Sequence, residues 1–232
     1  MTPIRLITFD LDNTLWDVEP VIVRADAAMN AWLINAHPAW QTLDHSDLSA
    51  CQRAAREQLA NEHHNLTALR IATLEIALTQ CGLDAEQAST SARAAFAVFH
   101  AERNNVTLYD DAIDMLQTLA NRYDIHAISN GNADITQMAI APYFRAHFSA
   151  ESVGVAKPDP AIFEAALTYA GISATGAVHV GDHPEQDIAA AQAVGMRAIW
   201  YNPSGAPWPL AGAPDAQVQS LAALPAAIIA LG

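Results

Sequence analysis

Lysine is almost absent from this sequence, and positive charge is scarce overall. The 232 residues include a single lysine, Lys157, and 25 acidic against 11 basic side chains, which gives a formal net charge of −14. Such a surface repels nucleic acid backbones and anionic membranes, so we expect neither as a partner. A phosphorylated metabolite would also be repelled unless a positive charge lay at its binding site.

Cysteine is rare too, and long apolar runs are missing. Cys51 and Cys81 form no C-x-x-C pair, which is typical of a reducing cytoplasm. The first apolar run starts at Ile4, so we expect no secretion signal, and the run from Leu224 to Leu231 is too short to cross a bilayer. With 52% hydrophobic residues, the chain is expected to be a folded, soluble, cytoplasmic protein. Its oligomeric state is left open.

Two hydrophobic patterns follow one another along the chain. After a strand at 4–9, helical periodicity without strands predicts four helices at 21–36, 46–60, 66–81 and 86–103. Beyond residue 106, helices at 110–121, 134–141, 160–171 and 185–194 alternate with strands at 125–128, near 148, at 177–180 and at 197–201, and 203–214 reads as a loop. This alternation predicts a doubly wound, Rossmann-like parallel α/β core, residues 1–16 and 105–232, interrupted by an inserted helical domain, 17–104.

Polar side chains follow the predicted strands of the core. Because parallel strands place ligands beyond their carboxyl ends, these side chains should converge at one edge of the sheet. They are Asp10 and Asp12 after the first strand, Ser129 and Asn130 after the second, Lys157 beyond the third, and Asp182 with Asp187 after the fourth.

Each of these residue types suits phosphoryl transfer. An aspartate can attack phosphorus and form an aspartyl phosphate, and a second aspartate can protonate the leaving oxygen and then activate water. Carboxylate oxygens suit Mg²⁺, although the choice between Mg²⁺ and Mn²⁺ stays open. Ser129, Asn130 and the ammonium of Lys157 can hold the phosphoryl oxygens, and Lys157 supplies the missing positive charge. Any one cluster alone would be an ordinary turn; the four together indicate a site.

Trp16 follows the first cluster, where the helical insertion begins. Its ring could stack on a planar substrate or could only pack the hinge between the two domains. Both interpretations are open at this point.

The four clusters, in this order, resemble the motifs of the haloacid dehalogenase superfamily, in its phosphatase branch. Asp10-Leu11-Asp12-Asn13-Thr14 looks like the first motif, D-x-D-x-T. Ser129 looks like the Ser/Thr of the second motif, Lys157 like the lysine of the third, and Gly181-Asp182…Asp187 like the fourth, G-D-x-x-x-x-D. The resemblance implies Asp10 as nucleophile and metal ligand, Asp12 as acid/base that lends its carbonyl to Mg²⁺, Asp182 as metal ligand, and Asp187 behind it. It also implies that the helical insertion is the α-helical cap of that family.

A narrower resemblance concerns the substrate. Asp17-Val18-Glu19-Pro20, Ser129-Asn130-Gly131-Asn132 and His179-Val180-Gly181-Asp182 look like bacterial phosphatases acting on flavin mononucleotide and on the phosphorylated ribitylaminouracil of riboflavin synthesis. Asn13 stands where many of those carry Asp.

The same fold serves other activities. A 2-haloacid dehalogenase needs no proton for its halide, and that branch lacks the second aspartate, so Asp12 argues against it. The insertion has no lysine for the Schiff base of a phosphonate hydrolase. A phosphosugar mutase shares the same catalytic core, so this alternative stays open. A non-turnover phosphoacceptor module would be about half this length and would carry no insertion.

Overall fold

The computed structural model describes residues 2–232, and these divide into two compact units. The sheet unit comprises the residues up to Asp17 together with Thr107–Gly232, and the helical unit is Val18–Val106. Among the described residues, no helix is both long and apolar enough to span a bilayer.

The helical unit consists of four helices, in line with its hydrophobic periodicity. They are α1 (Val18–Ala36), α2 (His45–Gln58), α3 (Leu66–Gln80) and α4 (Ala85–Arg103), with a 3₁₀ turn at Pro38–Thr42. Asp84 caps α4 as predicted: its carboxylate accepts the Gln87 N–H, and the Gln87 side chain accepts the Asp84 N–H. Buried alanines such as Ala77 and Ala92 keep the helix contacts close.

The sheet unit holds six strands that alternate with helices. Its elements are β1 (Leu6–Phe9), α5 (Ala112–Ala120), β2 (Asp124–Ser129), β3 (Ala146–Ser149), α6 (Ala150–Val153), α7 (Pro160–Ala170), β4 (Ala177–Gly181), α8 (Ala190–Ala193), β5 (Arg197–Tyr201), β6 (Ala216–Val218) and α9 (Leu224–Leu231). All strand pairs are parallel, in the order β3-β2-β1-β4-β5-β6. The predicted doubly wound α/β fold is therefore confirmed.

The strand register places the polar clusters at one edge of this sheet. Phe9, the last residue of β1, lies opposite Ala127 in β2 and Val180 in β4. The chain winds outward from β1 through β2 to β3, then returns beside β1 and winds the other way through β4 to β6. A crevice for ligands opens at such a reversal of strand order, which here lies beyond the carboxyl ends of β1 and β4.

The predicted helix at 134–141 is wrong. Two short 3₁₀ turns, Ile135–Gln137 and Ala141–Tyr143, occupy this segment. The carboxylate of Asp134 accepts both the backbone N–H and the hydroxyl of Thr136, and such a local bond competes with helix formation. Pro142 then removes a backbone donor that a continued helix would need.

The predicted helix at 185–194 is present but begins irregularly, and three further elements, α6, β6 and α9, were not predicted from the sequence. A π-helical turn, Pro184–Ala189, precedes the four residues of α8, and within it the N–H of Ile188 reaches back to the carbonyl of His183. Such wide turns occur often at functional sites. Strand β6 and helix α9 follow the Pro- and Gly-rich segment near residue 210, where no clear periodicity was visible.

Candidate active site

Asp10 and Lys157 form a buried ion pair at the reversal of strand order. Asp10 directly follows β1, and its N–H donates to the Val180 carbonyl at 2.8 Å. The Lys157 ammonium donates to Asp10 Oδ1 at 2.5 Å, to Asp187 Oδ1 at 2.6 Å and to the Ile128 carbonyl at 3.1 Å. All three ammonium hydrogens therefore have acceptors, and the only lysine of the chain lies between two carboxylates.

Asn130 holds the backbone of Lys157 in place. The Lys157 N–H donates to Asn130 Oδ1 at 2.7 Å, while Asn130 Nδ2 donates to the Lys157 carbonyl at 2.9 Å and to Gln186 Oε1 at 3.1 Å. Both amide hydrogens of Asn130 are thus engaged inside the protein. The Asn130 side chain therefore helps to position Lys157. The substrate contact predicted for Asn130 stays a prediction.

Asp187 reaches Lys157 because the neighbouring Gly181 has no side chain. A Cβ at Gly181 would lie only 2.3 Å from Asp187 Cγ. Asp187 Oδ2 also accepts the His183 N–H at 2.9 Å. Burial alone would raise the pKa of Asp187, but the adjacent ammonium holds that pKa below its usual range. Asp187 is therefore a buried anion that fixes the position of Lys157.

A buried histidine of β4, His179, contacts Asp187. His179 Nε2 lies 3.3 Å from Asp187 Oδ1, and its Nδ1 lies 2.8 Å from the hydroxyl of Thr8. Burial lowers the pKa of His179, which favours the neutral ring. A neutral ring can donate from Nε2 to the carboxylate while Nδ1 accepts the Thr8 hydroxyl hydrogen.

On the side of Asp10 away from Lys157, the carboxylates crowd together. The Thr14 hydroxyl lies 3.1 Å from Asp10 Oδ2 and 3.4 Å from Asp182 Oδ1, and its one hydrogen can serve only one of them at a time. Burial, with the nearby Asp187 and Asp182 charges, raises the pKa of Asp10 to about 8 despite the lysine. Burial and the charge of Asp187 raise the pKa of Asp182 to about 6.

This crowding fits a divalent cation. Carboxylate oxygens of Asp10, Asp182 and Asp187 all lie within 4.8 Å of one another. Hard oxygen donors of this kind are what Mg²⁺ prefers, and the raised pKa values of Asp10 and Asp182 indicate negative charge that the protein alone leaves undercompensated. Both carboxylate oxygens of Asp187 already accept hydrogen bonds, Oδ1 from Lys157 and Oδ2 from the His183 N–H. Asp10 and Asp182 are therefore the better candidates to hold the ion.

Asp12 lies in a tight loop with Trp16. The Trp16 indole N–H donates to Asp12 Oδ1 at 2.9 Å, and the Asn13 N–H donates to the Trp16 carbonyl at 2.7 Å. Asn13 has φ 60°, a left-handed conformation that Asn tolerates better than most residues. Trp16 is fully buried, which favours packing over contact with a substrate; the predicted stacking surface stays a prediction.

Ser129 ends β2 beside the ion pair and is buried. Its hydroxyl oxygen accepts the Gly131 N–H at 2.9 Å, which shapes the turn that leaves the strand. The hydroxyl hydrogen can donate elsewhere, as a phosphoryl ligand would require. The role predicted for Ser129 in substrate binding is compatible with this geometry and stays a prediction.

Four supporting residues escaped the sequence analysis as site members. Thr14 and His179 belong to the quoted motifs without a role of their own there, and Thr8 and His179 lie inside strands, where a polar residue gives no sign of a site. Gln186 is an ordinary helix residue by composition. Only the spacing of Thr8 and His179 from the aspartates that follow their strands could have pointed to them. The four are Thr8, Thr14, His179 and Gln186.

Comparisons with known proteins agree on the family. The haloacid dehalogenase-like hydrolases match residues 4–195. The 5-amino-6-(5-phospho-D-ribitylamino)uracil phosphatase YigB of Escherichia coli strain K12 is 33% identical over 200 residues, which cover 86% of this chain and 84% of that protein. The phosphoserine phosphatase of Thermus thermophilus is 30% identical over 151 residues, 62% of this chain and 59% of that protein.

A similar solved structure carries a different activity in its name. The crystal structure of 2-haloacid dehalogenase from Pseudomonas syringae pv. Tomato DC3000 superimposes with a TM-score of 0.96 and 40% identity, covering 99% of this chain and 100% of that one. The matches thus name both phosphatases and a dehalogenase, and the residues of the site must help to distinguish them.

Proposed function

Because this chain belongs to the haloacid dehalogenase-like hydrolases and is a phosphatase of that family, we propose that it hydrolyses a small phosphorylated metabolite with Mg²⁺, through an aspartyl phosphate on Asp10. The observation that carries the proposal is the cluster at the sheet edge: a carboxylate that can attack, paired with the only lysine and facing a second carboxylate, Asp182. The cytoplasmic location indicated by the cysteine content stays a prediction.

Asp10 is the proposed nucleophile. Its carboxylate oxygen would bond to phosphorus while the bond from phosphorus to the leaving oxygen breaks, and water would later attack the same phosphorus to release phosphate and restore Asp10. Ser129 would hold a phosphoryl oxygen, and Lys157, whose ammonium hydrogens already have acceptors in the protein, would act on the phosphoryl charge through its own positive charge. Mg²⁺ held by Asp10, the Asp12 carbonyl and Asp182 would offset the repulsion between the attacking carboxylate and the phosphate.

Asp12 is the proposed acid and base. It would give its proton to the leaving oxygen in the first step and take a proton from the attacking water in the second, so that protons balance over one turnover. A halide leaving group needs no such proton. The presence of Asp12 therefore supports phosphate hydrolysis over dehalogenation.

The substrate proposed first is the phosphorylated ribitylaminouracil of riboflavin synthesis, and flavin mononucleotide is the alternative substrate. Support comes from the 33% identity with the Escherichia coli phosphatase named for that uracil derivative, over most of both chains. The helical unit, Val18–Val106, would act as the cap that controls substrate choice in this family.

Dehalogenation is the second candidate, because of the 40% identical structure that carries that name. One experiment compares the two activities: phosphate release from a panel of metabolite phosphates including flavin mononucleotide, and halide release from a 2-haloacid, each with Mg²⁺ and with EDTA. We expect phosphate release that EDTA abolishes, and no halide. Halide release without phosphate release would overturn the proposal. An isomerisation assay with a phosphosugar tests the mutase alternative.

A further inference from the structure

Trp16 does more than fill space, because its indole nitrogen lies 2.9 Å from the side chain of Asp12. We propose that Trp16 is a positioning residue, whose indole N–H holds Asp12 Oδ1 and thereby orients the carboxyl group that exchanges a proton with the substrate. The proposal deepens the proposed function and rests on it, since it assumes that Asp12 acts as acid and base. It assigns the Trp16 ring a role distinct from stacking on a substrate.

The indole is itself held by the backbone around it. The N–H groups of Thr14 and Leu15 both donate to the Leu11 carbonyl, at 3.2 and 2.8 Å, and the Tyr109 N–H donates to the Leu15 carbonyl at 2.8 Å. Trp16 also bridges to Leu108 in β-bridge geometry. The loop is therefore closed on two sides, and the indole N–H has a fixed direction toward Asp12.

An indole nitrogen can only donate a hydrogen bond. While the bond to Asp12 exists, Oδ1 must act as acceptor and cannot at the same moment carry a proton along that line. Trp16 keeps its own proton throughout, so the indole orients the carboxyl group and takes no part in the transfer.

This geometry has a measurable consequence for the choice of leaving group. Without the indole N–H, Asp12 loses a hydrogen bond that orients its carboxyl group. Protonation of the leaving oxygen should then become less efficient, and a basic leaving group should suffer more than one that departs as a stable anion. Nucleophilic attack by Asp10 should be unaffected.

The test is the Trp16→Phe variant, which keeps an aromatic ring and removes the donor. Phenyl phosphate and p-nitrophenyl phosphate serve as substrates, since they differ by one nitro group and by the basicity of the leaving oxygen. We expect kcat/KM to fall about tenfold or more for phenyl phosphate, the size expected of a lost hydrogen bond to a charged group, and less than about threefold for p-nitrophenyl phosphate.

Two further variants separate positioning from packing. Leu15→Ala removes buried apolar contacts from the same loop without removing a donor, and it should lower both kcat/KM values by the same factor. In an Asp12→Asn background, Trp16→Phe should add no further dependence on the leaving group, because the residue through which it acts is gone. Equal losses on both substrates for Trp16→Phe, or an added dependence in the Asp12→Asn background, would overturn the proposal.

An independent measurement does not need turnover. In a protein labelled with ¹⁵N-tryptophan, five indole N–H resonances are expected from the five tryptophans, and Asp12→Ala should move one of them toward the position of a weaker hydrogen bond. No moved resonance would overturn the proposal even if Trp16→Phe failed to fold. Should the wild type release phosphate from neither substrate, the proposed function fails, while the indole resonances still report whether the contact exists.

Discussion

The two compact units of this chain bury different kinds of side chain. Among the described residues, every buried polar or charged side chain lies in the sheet unit except Arg103 and Asn104. The helical unit has alanines and large apolar residues in its core, and ion pairs such as Arg24–Glu102 at 2.9 Å lie at its surface. The Lys157–Asp10 pair of the sheet unit, at 2.5 Å, is almost completely excluded from water.

This difference shows where each unit carries electrostatic cost. A surface ion pair contributes little to stability, because water and salt screen it. A buried lysine between two carboxylates has lost its hydration and is tolerated only because every donor has an acceptor. The sheet unit therefore carries a costly arrangement of buried charge, which the proposed chemistry would use. The helical unit is built for packing.

The largest expected effect follows from removing the proposed nucleophile, Asp10. Asp10→Asn keeps the size of the side chain but removes the attacking charge, so kcat should fall by several orders of magnitude. The same chemical change in the helical unit, Asp26→Asn, loses a partly exposed partner of Arg70 and should leave kcat within about twofold. Steady-state kinetics on p-nitrophenyl phosphate measure both. If Asp10→Asn keeps more than about a tenth of the wild-type kcat, Asp10 is not the nucleophile.

Removal of the buried cation sharpens the comparison in terms of stability. Lys157→Met leaves Asp10 and Asp187 facing each other without a positive partner, and the free energy of unfolding should fall by about 3 kcal/mol or more. Arg24→Met, at the surface of the helical unit, should lower the free energy of unfolding by no more than about 1 kcal/mol. Denaturant unfolding of the two variants gives both values. Equal losses of unfolding free energy in the two variants would contradict the difference between the buried and the surface ion pair.

Loss of the proposed metal ligand should act through Mg²⁺. Asp182→Asn should raise the Mg²⁺ concentration that gives half-maximal activity by about tenfold or more. The rise in melting temperature caused by Mg²⁺ should shrink in the same variant, and this rise can be measured without turnover. Asp26→Asn should show neither change. Activity that survives exhaustive treatment with EDTA would contradict the metal mechanism.

In EDTA, stability should also depend on pH. The pKa of Asp10 is raised from 3.8 to about 8, mainly by burial, so between these values the folded state holds a proton that the unfolded chain has lost. The stability that this proton contributes is fully present below about pH 4 and is lost as the pH rises toward about 8. Asp182, with a pKa of about 6, adds to this loss.

Asp10→Asn provides the control, since the amide does not titrate. Relative to this variant, the wild type in EDTA should lose stability between about pH 5 and about pH 8. Added Mg²⁺ should stabilise the wild type more at the higher pH, where the carboxylates have lost their protons. Unfolding free energies that differ by a constant amount over this range would contradict a raised pKa at Asp10.

Much of the fold was predictable because its signals are local. The β strands end where apolar runs meet Asp10 and Asp182, and Asp84 with Gln87 marks the start of α4 without help from distant residues. The helix predicted at 134–141 is absent because the Thr136 N–H donates to the Asp134 carboxylate, a bond that competes with helix formation and leaves no trace in the hydrophobic periodicity. Strand β6 has three residues, too few for a pattern.

The site was predictable only as a set of residue types at the sheet edge. Which atom of Asn130 holds which atom of Lys157 depends on a tertiary contact across 27 residues. The place of His179 beneath Asp187 likewise depends on the turn after β4, where the π-helical geometry brings Asp187 back toward the strand. Trp16 illustrates the same limit, because aromatic character alone does not say whether the ring or the N–H is the functional part.

The single lysine also makes this protein a convenient object for chemical labelling. Reagents that acylate amines require an accessible, neutral ε-amino group, and the side chain of Lys157 is 2% exposed. Pairing with Asp10 and Asp187 moreover raises the pKa of Lys157 above its usual value, against the opposing effect of burial. Acylation at this side chain should therefore proceed only when the structure around it opens. The labelling rate of one residue would then report openings of the structure around Lys157, with no second lysine to obscure the signal.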